Sequence, residues 1–149
     1  MGIDKEDMDM EASYTEGKRF QAASFDAAID VVTAAFQSVG FGLPPGTLNM
    51  NVSEVFTMKK VDDKFPKLQI LGFCNPKFAH SLLLAEPAAA LLIPCSVAIK
   101  EIVPGKVYEV AAYNIDKMGS LMSNQEGTQE TVGKVKECVD AALLAIVDT

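Results

Sequence analysis

The apolar run over residues 82–99 constrains the fold of this chain most. It carries one charge, Glu86, in 18 residues, so its hydropathy alone would suit a membrane span. Pro87 and Pro94 lie inside the run, however, and each proline removes a backbone donor and breaks helix continuity. We therefore predict the end of a helix, a tight connection and then a buried strand, with no membrane span.

The length and composition of the chain are typical of one globular domain. Its 149 residues are 49% apolar and 22% charged, and a domain of this size buries enough surface to fold without a disulfide or a metal. The first 11 residues are acidic and lack the basic and apolar segments of a signal peptide. We expect residues 1–11 to form a disordered acidic leader and residues 12–149 to form a single compact domain.

The charge and the cysteines limit the partners and the compartment. The net charge is −7, and the basic residues are scattered, with only the pairs Lys18–Arg19 and Lys59–Lys60. Binding to phosphates begins with clustered lysine and arginine, so we expect no nucleic-acid partner and no anionic membrane surface. An odd set of three cysteines without a secretion signal predicts free thiols in a reducing, cytoplasmic compartment.

Helical periodicity and capping residues predict several helices. Ser24 is a favoured cap before apolar residues at three- and four-residue steps, and Gly40 is placed to end that helix in a left-handed turn. Asn75-Pro76 is a strong start for a helix that runs to about residue 85. Further helices are predicted over residues 53–60, where Ser53 would be the cap, over residues 115–122 and over residues 128–147.

The remaining periodic segments predict strands. They are residues 13–20, 47–51, 68–74, 95–103 and 106–113, and Pro104-Gly105 joins the last two as a hairpin turn. Strands and helices mix along the chain, and the last strand pair is antiparallel. The predicted fold class is therefore α+β, with a single-layer, mostly antiparallel sheet packed against helices.

Two short motifs connect the chain with a known family. Residues 72–76 read Gly-Phe-Cys-Asn-Pro, and residues 92–95 read Leu-Ile-Pro-Cys. Together with the segments around them, they resemble the domain of unknown function 302 family over nearly all of residues 13–148. The resemblance implies a small α+β sandwich that is often a homodimer, without an established activity. The chain departs from the family at Pro44-Pro45-Gly46 and at Asn114-Ile115, where family members tend to have Asp-Pro.

The segment after the third strand is where chemistry could occur. Cys74 ends a strand and directly precedes the helix cap Asn75, and the partial positive charge of a helix start favours the thiolate form of a thiol. Cys95 begins the next strand, so both sulfurs could face one end of the sheet if the strands are neighbours. His80 is the only histidine of the chain. We take Cys74, Asn75, His80 and Cys95 as candidate ligand-binding residues.

Each of these residues also has a purely structural interpretation. Free cysteine often acts as a small buried hydrophobe, which suits Cys74 and Cys95 and above all Cys138 on the last helix. His80 lies roughly 6–9 Å along the helix from Cys74, so we expect no direct hydrogen bond between them. On the helix wheel it lies with Lys77 and Leu84, away from the apolar stripe, so it is expected to be exposed or at a dimer interface. The chain has no Cys-x-x-Cys and no paired histidine, so we expect no metal site.

Three functions remain open from the sequence, and the cofactor is unknown. The first is a homodimeric protein that binds a small anion or a ligand with affinity for thiols at the start of the Asn75 helix. The second is a thiol-dependent redox or nucleophilic enzyme that uses Cys74 with Cys95 as its partner. The third is a purely structural or interaction domain.

Overall fold

The computed structural model describes residues 10–149 and contains five strands, five α-helices and one 3₁₀-helix in that range. In chain order they are β1 (Thr15–Gln21), α1 (Phe25–Ser38), β2 (Asn49–Asn51), α2 (Val52–Met58), β3 (Leu68–Phe73), α3 (Pro76–Ala85), the 3₁₀-helix (Pro87–Leu92), β4 (Cys95–Val103), β5 (Val107–Tyr113), α4 (Ile115–Ser120) and α5 (Gln125–Ala145).

The strands form one antiparallel sheet in the order β1-β5-β4-β3-β2. Because successive side chains of a strand point to opposite faces, every second residue faces the helices. Leu71 lies opposite Val97 and Val97 opposite Ala112, and all three belong to the buried core with residues of α1 and α5. The predicted class, α+β with a mostly antiparallel sheet packed against helices, is confirmed.

The core lies between this face of the sheet and helices α1 and α5. Val32 and Phe36 of α1 and Val139 of α5 are almost fully buried there. The ring of Phe36 stacks on that of Phe73 in β3, with ring centres 4.7 Å apart and planes at 12°. This contact fixes α1 above the end of β3, which is the end where Cys74 follows.

The apolar run of residues 82–99 folds as predicted. It supplies the end of α3, the 3₁₀-helix Pro87–Leu92 and the start of β4. Val97 and Ile99 are fully buried in the sheet. Within the described residues, the helices are too short or too polar for any of them to cross a membrane.

Most of the predicted turns and helix ends are present in the structure. Gly40 follows α1 with a φ of 95°, and Gly105 has a φ of 71°, both in the left-handed region that favours glycine. At the Pro104-Gly105 turn, the Lys106 amide donates to the carbonyl of Val103 at 3.0 Å. This is the pattern of a tight turn with proline second and glycine third.

Two predicted helix starts are wrong, because asparagines upstream act as the caps. α2 begins after Asn51, whose side-chain oxygen accepts from the Glu54 amide at 3.0 Å, so Ser53 lies inside the helix. α5 begins at Gln125, because the Asn124 side chain accepts from the Gly127 amide at 2.9 Å. Asparagine carries the same capping oxygen as serine, and here it lies earlier in the chain.

The predicted leader falls mostly outside the described residues, since residues 1–9 are not among them. The two leader residues within the described range lie beside the sheet. The Met10 amide donates to the Glu109 carboxylate at 2.6 Å, and Glu109 also pairs with Arg19 of β1 at 3.7 Å.

Gly17 is the position where the sheet depends on the absence of a side chain. A Cβ atom there would lie 2.0 Å from the carbonyl oxygen of Val110 on β5. We predict that Gly17→Ala lowers the free energy of unfolding by about 2–4 kcal/mol, because backbone must move to admit the methyl group. Urea denaturation followed by circular dichroism measures the change.

The matched control for this prediction is Gly133→Ala on α5. A Cβ at Gly133 meets no atom within 4 Å, and alanine in a helix is favoured over glycine by about 0.5–1 kcal/mol. We therefore expect the control to be neutral or stabilising. An equal loss of stability in both variants would contradict the assigned close approach of β1 and β5.

Candidate functional site

A small cavity lies beneath α3, at the end of the sheet where β3 finishes and β4 begins. Its volume is about 30 Å³, above the roughly 10–15 Å³ that a cavity needs to hold one water molecule. The wall is almost entirely apolar and contains the aromatic rings of Phe41, Phe73 and Phe78. Four sulfur-bearing side chains complete it, namely those of Cys74, Cys95, Met118 and Met122.

Both cysteines line this cavity because β3 and β4 are neighbours. Phe73 lies opposite Cys95 in the register of these strands, and Cys74 is the next residue. The two strands are therefore neighbours, as the sequence prediction required, and both cysteines line the same cavity. All three cysteines of the chain are free thiols.

Cys74 is held in place by its backbone. Its amide donates to the carbonyl of Gly42 at 2.9 Å, and its carbonyl accepts from the Gly42 amide at the same distance. Its side chain is half-buried and borders both the inner cavity and an open surface groove, which is also lined by Pro44 and Pro76. Cys74 therefore lies between solvent and the interior.

Asn75 caps α3 as predicted. Its side-chain oxygen accepts from the amides of Lys77 and Phe78, at 3.0 and 3.4 Å. These amides are the donors that an anion at the helix start would use, and they are already paired. With the apolar cavity wall, this pairing means that the Lys77 and Phe78 amides already have an acceptor in the protein itself.

The environments of the cysteines differ. Burial, and then the neighbouring Cys74, raises the pKa of Cys95 to about 11. At pH 7 only about one Cys95 side chain in 10,000 is then a thiolate in the ligand-free protein. Burial, and then Glu137, raises the pKa of Cys138 on α5. Cys138 packs against the core, which agrees with its structural interpretation.

His80 lies apart from this group. It is on the exposed side of α3 and does not line the cavity. The structure thus brings together Cys74, Asn75 and Cys95 but not His80.

Sequence reasoning missed the two methionines of the cavity wall. Met118 lies on α4 and Met122 just after it, and both are buried. Their spacing of four residues places them on one side of a helical turn, which is a usable signal. Their approach to the cysteines depends on how α4 packs, and spacing alone does not give that packing.

Comparison with known proteins identifies the family and the fold of the chain. The family model described as "Domain of unknown function DUF302" matches residues 17–146. The chain belongs to the DUF302 family. The fold is also similar to that of a solved structure, the uncharacterized conserved protein DUF302 from Bacillus stearothermophilus.

The similarity to the solved DUF302 structure concerns the fold. The two chains are 17% identical, with a TM-score of 0.77, and the match covers 91% of this chain and 99% of the other. No curated protein matches the chain. Family membership therefore confirms the fold that the Gly-Phe-Cys-Asn-Pro motif implied, and it assigns no reaction to the cavity.

The burial of Cys95 leads to a prediction about thiol reactivity. In a Cys74→Ser/Cys138→Ser variant, we expect Cys95 of the folded protein to react with iodoacetamide about 100-fold more slowly at pH 8 than in the urea-unfolded chain, because little of it is thiolate. The rate should still rise steeply between pH 8 and pH 10. A rate that levels off near pH 8.5, the ordinary range of a free cysteine, would show that Cys95 is not protected as described.

Proposed function

We propose that this DUF302 protein is a cytoplasmic homodimer that binds a small ligand with affinity for thiols in the cavity at the Cys74-Asn75-Pro76 helix start. The observation that carries the proposal is the presence of two free cysteines, from adjacent strands, in the wall of one cavity. A binding role fits because the cavity wall holds no acid–base pair. The polar side chain of the wall, that of Asn75, already accepts hydrogen bonds from the first amides of α3.

The access route and the cavity support the same proposal. Cys74 borders both the surface groove and the interior, so a ligand bound to its sulfur would pass directly from one to the other. The volume of about 30 Å³ is far below the roughly 300–1,000 Å³ of sites for drug-sized molecules. A ligand of a few atoms is therefore favoured over an organic cofactor.

We expect native mass spectrometry of freshly purified protein to show bound mass or stoichiometric metal that is lost in Cys74→Ser. The substitution replaces the thiol with a hydroxyl of similar shape and removes the group to which the ligand binds. Cys138→Ser is the control and should retain the ligand. If Cys74→Ser retains as much ligand as the parent protein, the site is not at Cys74.

The redox alternative, with Cys74 as the reactive thiol and Cys95 as its partner, uses the same proximity. It requires Cys95 to become a thiolate and attack oxidised Cys74. The raised pKa of Cys95 makes that step slow at neutral pH, so the binding function is the better supported of the two. Rapid formation of a Cys74–Cys95 disulfide with hydrogen peroxide at pH 7 would reverse this preference.

A protein without ligand, thiol reactivity or turnover would be a purely structural domain.

The homodimer is proposed through the open face of the sheet. Ile70, Ala98 and Ala111 point away from the helices, because their strand neighbours Leu71, Val97 and Ala112 are in the core. With Leu48 they border a groove of about 620 Å³ across this face. The apolar side chains form a continuous patch, and a second copy of the chain is the occupant that family resemblance favours.

The size of the open face is compatible with a dimer. Strands lie about 4.8 Å apart and rise about 3.3 Å per residue, so the sheet offers a projected area of roughly 500 Å². The accessible surface of a layer of side chains exceeds its projection, and stable interfaces bury about 800 Å² per partner. The sheet and the rim around Tyr14, which is 61% exposed, together approach that area.

We predict that Ala98→Glu converts the dimer to a monomer, because the charge would be buried at the centre of the interface. Sedimentation velocity at micromolar concentration measures the mass, and circular dichroism checks the fold. Leu91→Glu is the matched control, since Leu91 lies on the 3₁₀-helix and is 90% exposed. A monomeric parent protein, or a variant that stays dimeric, would exclude this interface.

A further inference from the structure

We infer that the ligand of the cavity is a single soft monovalent cation, Cu(I), bound by the sulfurs of Cys74 and Cys95 with Met118 and Met122 as thioether ligands. This inference rests on the proposed binding function and names its ligand class. It revises the expectation of no metal site, which was drawn from cysteine and histidine spacing alone.

The donor set selects the metal. Four sulfur atoms, two from thiols and two from thioethers, belong to side chains of one cavity wall. Thiolate and thioether ligands together favour Cu(I), whereas carboxylate and water ligands favour hard cations. Tetrahedral zinc sites use four ligands drawn from cysteine, histidine and carboxylate. Within the described residues, no group of three or more such side chains is placed to hold a metal.

The volume of the cavity selects the size of the ligand. About 30 Å³ exceeds the roughly 10–15 Å³ that a cavity needs to hold one water molecule, so one ion without its hydration shell fits. The wall beyond the sulfurs is built of Phe41, Phe73, Phe78 and aliphatic side chains. Such a wall offers few polar atoms to hold water, which favours a metal that prefers sulfur over oxygen.

The charges of the bound state are compatible with this environment. Binding breaks two S–H bonds, forms two Cu–thiolate bonds and two dative Cu–thioether bonds, and releases two protons to solvent. Neither copper nor sulfur changes oxidation state. One Cu⁺ with two thiolates carries a net charge of −1. The positive end of α3, a helix of ten residues that begins beside Cys74, stabilises that charge.

The test is titration of purified, reduced protein with Cu(I) under anaerobic conditions in competition with a chromophoric Cu(I) chelator. We expect one Cu(I) per chain, with coordination by sulfur alone in X-ray absorption spectra. Cys74→Ser and Cys95→Ser should each abolish chelator-competitive binding, and Cys138→Ser should bind as the parent protein does. Ag(I), which has no accessible redox chemistry here, serves as a second probe.

A double variant, Met118→Leu/Met122→Leu, tests the thioethers while preserving an apolar wall of similar volume. We expect it to fold, by circular dichroism, and to bind Cu(I) about tenfold or more weakly. Unchanged affinity in this variant would overturn the assignment of the methionines, and Cu(I) binding that survives in Cys74→Ser would overturn the site.

The two proposals fail in different ways. If the protein does not bind Cu(I) or Ag(I) but carries another ligand that is lost in Cys74→Ser, the cation is wrong and the binding function stands. If native protein carries no ligand and neither cation binds, both are wrong. Equal competition by Zn(II) would also overturn the inference, because it would mean that the site is not selective for soft monovalent ions.

Discussion

The pairing of β3 with β4 is the interaction on which the rest of the molecule depends. It places Leu71 beside Val97 and Phe73 beside Cys95, so the same register that closes the core also delivers both cysteines to one end of the sheet. A shift of one residue would send every side chain of a strand to the opposite face. The stacking of Phe36 of α1 on Phe73 stabilises this register from the helix layer. β4 lies at the centre of the sheet, between β3 and β5, so its position also determines how β5 pairs.

Much of this architecture can be predicted from the sequence because helix caps and turns depend on residues that are close in the chain. Asn75-Pro76 starts α3 and Pro104-Gly105 turns the hairpin, since capping and turn geometry depend on residues a few positions apart. The starts of α2 and α5 were misplaced for the same reason. Asn51 competes with the nearby Ser53 as the cap of α2, and propensity alone ranks asparagine and serine too closely to separate them. The Asn124 cap starts α5 at Gln125 rather than at residue 128.

The site was less predictable, because it is made by long-range packing. Cys74 and Cys95 could be named from their place beside a helix start and a strand. Their convergence required the strand order, and the contribution of Met118 and Met122 required the packing of α4 against α5. His80 stood out in the sequence as the single histidine, yet the helix places it on the exposed side. Rarity of a residue type is thus a weaker guide here than its position relative to the sheet.

The strand order has a consequence for how the chain reaches its native state. β1 lies at the edge of the sheet and pairs only with β5, which is roughly 90 residues further along the chain. Closing a loop of that length costs conformational entropy before the contact is gained, and such pairings slow folding. The β4–β5 hairpin is local and can form early, whereas Phe20 of β1 enters the core only when β5 is in place. During synthesis, the first strand must wait for nearly the whole domain to leave the ribosome, and until then its apolar residues are available to chaperones.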